Sequence, residues 1–135
     1  MRFELIDRVI DATDDTLVAT RCVTAAEEYL ADHFPGFAVL PGVMMLEALA
    51  QAGRALVRRL DPTPGASRLV VAEAKNIKYG TMVRPGQTLT VTVKLTGKAD
   101  ATYAMTGEGT VDGQTAVKGK FVLTPPPADT FEPAA

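Results

Sequence analysis

The segment VMMLEALAQAGRALVRRL, residues 43–60, constrains this 135-residue chain more than any other. It is rich in helix formers and stops before Asp61-Pro62, which predicts one long helix. Its first ten positions are apolar on nearly every side, broken only by Glu47 and Gln51. A helix apolar all round belongs inside something. The polar exceptions are ordered: Glu47, Gln51, Arg54 and Arg58 fall at i, i+4, i+7 and i+11, one stripe on the helix surface. A solvated stripe with i,i+4 support accounts well for Arg54 and Arg58. It accounts less well for Glu47, which Met44, Met45, Leu46 and Leu49 crowd.

The rest of the chain reads as strands that need such a core. Residues 3–10 and TLVATRCV (16–23) flank the turn cluster Ala12 to Asp15, which predicts an antiparallel hairpin. Thr24 and Glu27 fit a capping box and predict a short helical turn over 25–31. After a loop from Asp61 to Gly65 come strand-like segments at 69–80, 87–97, 102–111 and 116–123. Thr88, Thr90, Thr92 and Lys94 alternate with Leu89, Val91, Val93 and Leu95, a period of two with one buried face. Arg84-Pro85-Gly86 and Asp112-Gly113 mark turns, the second a strong hairpin cue. The expectation is one α+β domain over 1–124, a sheet curled round a central helix. The proline-rich tail TPPPADTFEPAA is expected to be disordered from residue 125.

Composition removes several kinds of chemistry. A formal charge of -2 argues against a dedicated nucleic-acid binder. No run approaches the roughly 18–20 apolar residues of a membrane span. Charges at Arg2, Glu4, Asp7 and Arg8 argue against a signal peptide. One cysteine, Cys22, makes no internal disulfide, which fits a reducing cytoplasm. Its place in an alternating run predicts a buried structural thiol. One His and one Cys cannot build a Cys/His zinc site. The single serine, Ser67, sits in GASRL, which lacks the second glycine of a nucleophile elbow. Chemistry here rests on His33, carboxylates and backbone groups.

Residues 33–51, HFPGFAVLPGVMMLEALAQ, hold the only histidine, two Pro-Gly steps and one carboxylate in an apolar run. This segment resembles the signature of the 3-hydroxyacyl-[acyl-carrier-protein] dehydratases, the FabZ and FabA family of hotdog-fold enzymes. The FabZ branch reads HFPG, then a short variable run, then PGV, and ends in the pattern EA-x-AQ. The similarity continues through LIDRVID, KNIKYGTMVRPGQTL and GEGTVDGQTAVKGKFVL, in order, over about residues 3–123. Departures are Asp32 for a usual glycine, Ala38 for a usual proline, Phe37 after HFPG, and Gly80-Thr81 for a usually basic pair that would dock the carrier.

The resemblance implies an acyl-carrier-protein-dependent dehydratase that uses neither metal nor redox cofactor. By position, His33 and Glu47 match the catalytic pair, with glutamate the mark of the FabZ branch. Gly42 matches the glycine whose backbone N–H binds the thioester carbonyl, and Gln51 the glutamine one turn beyond the carboxylate. Phe34, Met44 and Met45 are candidates for lining an acyl tunnel. In this family the site forms across a dimer, His from one subunit and Glu from the other, so the resemblance implies an obligate homodimer here, alone or as a trimer of dimers. One helix in one curved sheet also leaves apolar helix surface uncovered, which independently predicts a partner.

These residue types suit removal of water from a 3-hydroxyacyl thioester. An imidazole titrating near neutrality suits the base that takes the α-proton. A carboxyl among apolar neighbours is expected to keep its proton for the departing hydroxyl. A backbone N–H at a helix start suits a developing oxyanion. Taken singly, each feature has a plainer account: a packed histidine, a solvated glutamate, an ordinary turn. Two other readings remain, a hotdog enzyme on another acyl thioester, CoA-bound, polyketide or thioesterase in type, and a non-catalytic acyl-binding subunit. Arg54, Arg58, Arg59, Arg68, Lys75, Lys78 and Arg84 are candidates for a basic rim facing an acidic carrier.

Overall fold

The computed structural model describes residues 5–23, 40–62 and 68–126. Among the described residues six strands and one helix appear in chain order: β1 (Arg8–Ala12), β2 (Thr16–Cys22), α1 (Gly42–Leu60), β3 (Val70–Tyr79), β4 (Thr88–Ala99), β5 (Thr102–Val111) and β6 (Gln114–Thr124). The strands form one antiparallel sheet in the order β1-β2-β4-β5-β6-β3. The helix and the strand segments fall where the periodicity puts them, to within two or three residues except β1, which begins at Arg8. The capping-box turn expected over 25–31 lies outside the described residues, as does the tail from 127.

The apolar parity of the strands builds one face of the sheet. Leu89, Val91 and Val93 are fully buried, and Tyr103, Met105 and Val111 of β5 and Phe121 and Leu123 of β6 join them. The helix lies against this face through Met45, Ala48, Leu49, Ala52, Gly53, Leu56 and Val57. Small residues let the two layers approach closely: a Cβ on Gly107 would stand 3.2 Å from the methyls of Leu49. Burial of this kind contributes roughly 25 cal/mol per Å² of apolar surface, so the two layers stabilise each other.

Turns follow their residues. Asp112 (φ 51) and Gly113 (φ 76) link β5 to β6 with positive φ at both positions, as a two-residue hairpin of the primed type requires. Beyond β3, the Gly80 and Thr81 N–H groups donate to the carbonyls of Ala116 and Thr115 at 2.9 Å each. A Cβ on Gly80 would run into the Thr115 carbonyl oxygen, so the ladder leaves no room for a side chain there. Thr81 Oγ1 donates to Gln114 Oε1 at 2.9 Å. The departure at Gly80-Thr81 thus has a local structural account.

One expectation is corrected. Cys22 is exposed, because β2 buries its odd positions, Leu17 and Ala19, and turns the even ones outward.

The end of the helix is pinned by a polar contact. Asp61, its C-cap, donates its N–H to Val57 O at 2.7 Å and accepts from Tyr103 Oη through Oδ2 at 3.1 Å. Lys98 stands 3.9 Å from the same carboxylate and 5.4 Å over the Tyr103 ring. Burial, then the hydrogen bond to Asp61, then the Asp61 charge, hold the Tyr103 phenol above its ordinary value of 10.0. The folded state therefore keeps that proton more tightly than the unfolded chain does, and the associated stability, complete below about pH 10, is lost as pH rises through the raised value. Urea denaturation at a series of alkaline pH values should show a shallower loss in Tyr103→Phe than in the wild type; equal slopes would remove Tyr103 from the account.

Candidate active site

The helix entry is set by backbone contacts. Leu40 donates its N–H to Val83 O at 2.7 Å, and Pro41, extended at φ -61 and ψ 145, forms the N-cap. The Pro41 carbonyl accepts from Met44 and Met45 at 3.0 and 3.2 Å. First-turn N–H groups have no partner within a helix, and no described residue accepts the Gly42 N–H. A Cβ on Gly42 would lie 2.9–3.3 Å from the Tyr79 ring at the end of β3. Around this point three apolar side chains stay open to solvent: Val43 (67%), Tyr79 (51%) and Met82 (53%).

Glu47 sits one turn into the helix. Its neighbours in sequence do not enclose it: Met45 and Leu49 point into the core, at 4% and 0% exposure, and leave the Glu47 side chain 38% exposed. Polar partners hold it instead. Gln51 Nε2 and Arg54 Nη1 each donate to Glu47 Oε2 at 3.1 Å. Both donors are tied to distant backbone: Leu5 N–H donates to Gln51 Oε1 at 2.8 Å, and Arg54 Nε donates to Leu69 O at 2.7 Å. Four groups from three segments of the chain therefore fix one carboxylate oxygen.

Of the residues singled out in the sequence, Gly42, Glu47 and Gln51 lie on the one helix, Gly42 at its first position and Glu47 bonded to Gln51 a turn later. Met45 is in the core cluster and Met44 is half-buried against it. His33 and Phe34 lie outside the described residues, as do Asp32, Phe37 and Ala38. Arg54, read from the sequence as part of a solvated stripe, has a side chain only 17% exposed. Its spacing from Glu47 was visible, but its second partner, Leu69, follows 15 residues later across a loop, which no helical periodicity reports. The basic rim does not form one surface. Arg59 faces the turn after β1, whereas Lys75 and Lys78 lie on β3, at the opposite edge of the sheet. A cavity of about 560 Å³ lined by Lys78, Lys94, Glu108, Lys118 and Lys120 opens on the outer face, across the sheet from Glu47.

A six-stranded antiparallel sheet wrapped on one helix in this order is a hotdog fold. Solved structures agree on the fold. A chain of the dehydratase heterocomplex ApeI:P from Xenorhabdus doucetiae superposes with a TM-score of 0.76 at 18% identity, over 93% of this chain and 84% of that one. A hypothetical thioesterase with coenzyme A from Streptococcus pneumoniae gives 0.67 at 16% identity, over 88% and 84%. In sequence, residues 1–120 match the family described as the FabA-like domain. Relatives named 3-hydroxyacyl-[acyl-carrier-protein] dehydratase FabZ are 41% identical in Lactococcus lactis, over 90% of this chain and 83% of the relative, and 38% identical in Oenococcus oeni, over 88% and 86%. A third of that name, from Solibacter usitatus, is 31% identical over 98% and 82%. The chain belongs to the FabA-like family, in its FabZ branch.

Gln51 links the N-terminal segment to the carboxylate, and its loss leaves the N–H of buried Leu5 without that partner. An unsatisfied buried donor costs about 1–3 kcal/mol. Gln51→Ala should lower the urea-derived stability by that amount; a change under about 0.5 kcal/mol, the usual range for a surface substitution, would mean the tie is not formed in solution.

Proposed function

We propose that this chain dehydrates (3R)-3-hydroxyacyl thioesters on acyl carrier protein to trans-2-enoyl thioesters in fatty-acid biosynthesis, in the cytoplasm. The observation that carries the reading is the pairing, on one helix, of the Gly42 N–H at its start with a held carboxylate, Glu47, one turn further on. That pairing occurs in a chain whose relatives bear the dehydratase name.

In this reading His33 takes the proton from the α-carbon, and the electrons of that C–H bond form the double bond. The C–O bond to the β-hydroxyl breaks as Glu47 gives that oxygen a proton, so water leaves. The enolate-like oxygen of the thioester rests on the Gly42 N–H, reinforced by the positive end of the helix dipole. Imidazolium and carboxylate remain, and one proton passed from His33 to Glu47 restores both. Phe34 and Met44 are proposed to line the acyl path, while Met45, being core, shapes it from behind. The catalytic domain is taken to span residues 1–124.

We further propose a homodimer in which His33 of one chain serves Glu47 of the other, alone or within a trimer of dimers. Two features support it: the exposed apolar trio at the helix start, and β3. This strand ends the sheet, ten residues long and exposed over most of its length. An open edge of that length beside apolar surface calls for a covering partner.

Purified protein given 3-hydroxyacyl carrier should form enoyl product without releasing free thiol. His33→Ala and Glu47→Gln should each lower kcat by about 10²- to 10⁴-fold, the usual contribution of a positioned acid or base. Release of thiol in place of enoyl product, or full activity in either variant, would overturn the reading.

A further inference from the structure

We propose that Arg54 is a positioning residue for Glu47, fixing one carboxylate oxygen so that the other is presented to the substrate. The inference rests on the dehydratase reading and adds a residue that the family signature, which ends at Gln51, does not reach.

The geometry is specific. Arg54 stands two helical turns after Glu47, about 10 Å along the axis, and its side chain reaches back toward the helix start, the direction in which helical side chains lean. It donates from two adjacent points of its planar fork, Nε to Leu69 O at 2.7 Å and Nη1 to Glu47 Oε2 at 3.1 Å. Because guanidinium donors are rigidly related, anchoring Nε on the backbone fixes where Nη1 points. Gln51 donates to the same Oε2 atom at 3.1 Å. Among the described residues no bond reaches Oε1, which is thereby the oxygen left for the reacting hydroxyl.

Neither plainer account fits Arg54. A solvated stripe residue is exposed, as Arg58 is one turn on; Arg54 is 17% exposed. A docking residue needs its charge at the surface, whereas this guanidinium is held between Leu69 and Glu47. Its charge also has a use in the reaction. When Glu47 gives its proton to the leaving hydroxyl it becomes a carboxylate, and a cation already on Oε2 stabilises that charge as it forms. Since Leu69 leads directly into β3, the orientation of the acid is tied to the edge strand.

Kinetics and NMR together test the role. Arg54→Ala should lower kcat about 10- to 100-fold, the scale of a small misplacement of a reacting group, with KM changed less than about twofold. Arg54→Lys should recover only part, since an ammonium cannot span Leu69 O and Glu47 with the same fork. In a Glu47→Gln background, Arg54→Ala should cost less than about a further twofold, because residues acting as a unit are not additive. Separately, the Arg54 side-chain ¹⁵N–H signals should shift on Glu47→Gln, a readout independent of turnover. An unchanged kcat in Arg54→Ala, full additivity with Glu47→Gln, or unshifted Arg54 signals would each overturn the proposal. A wild-type protein that turns over no 3-hydroxyacyl thioester would overturn the dehydratase reading instead, and the NMR shift would still decide the contact.

Discussion

The mutual burial of α1 and the inner face of the sheet is the constraint on which everything else depends. Neither element has another way to hide its apolar side chains: the helix is apolar round most of its first half, and β4, β5 and β6 each present one apolar face. Once the two are packed, the helix axis is fixed, and with it the few directions left for polar side chains. Glu47, Gln51 and Arg54 occupy the stripe that does not touch the sheet. The same packing that makes the core therefore points the carboxylate away from it, and the helix start brings Gly42 under Tyr79.

Periodicity made much of this legible. The alternation from Thr88 to Leu95, the Asp112-Gly113 turn and the uninterrupted helix formers after Gly42 led to elements that agree with the structure to within two or three residues. Local pattern could not give what depends on distant partners. The insertion of β4, β5 and β6 between β2 and β3 is a matter of register across the whole sheet. β3 obeys no clean alternation, because its pairing with β6 shifts twice and Asn76 takes a positive φ of 55. Cys22 departs from its expected burial because alternation alone does not tell which parity faces in.

The site was legible in a similarly uneven way. Gly42, Glu47 and Gln51 were found because their spacing on one helix coincides with a family signature. The setting of Glu47 was not found: apolar neighbours in sequence implied an enclosed carboxyl, but on a helix those neighbours diverge, and the partners that matter are Gln51 and Arg54. Arg54 was visible as spacing and invisible as function, since its anchor, the Leu69 carbonyl, arrives through tertiary structure. Among the described residues, Val43, Tyr79 and Met82 stay exposed beside the β3 edge, the surface that the proposed second chain would cover.

The central proposal is that one helix serves as both scaffold and half of a site that a second chain completes. Mixing the two inactive variants, His33→Ala and Glu47→Gln, after unfolding and refolding them together, tests it most directly. The mixed dimer carries one site with both residues intact, so enoyl-forming activity should return to a substantial fraction of wild type while each variant alone stays inactive. Mixtures as inactive as their components would contradict the account and put both residues within one chain's own site.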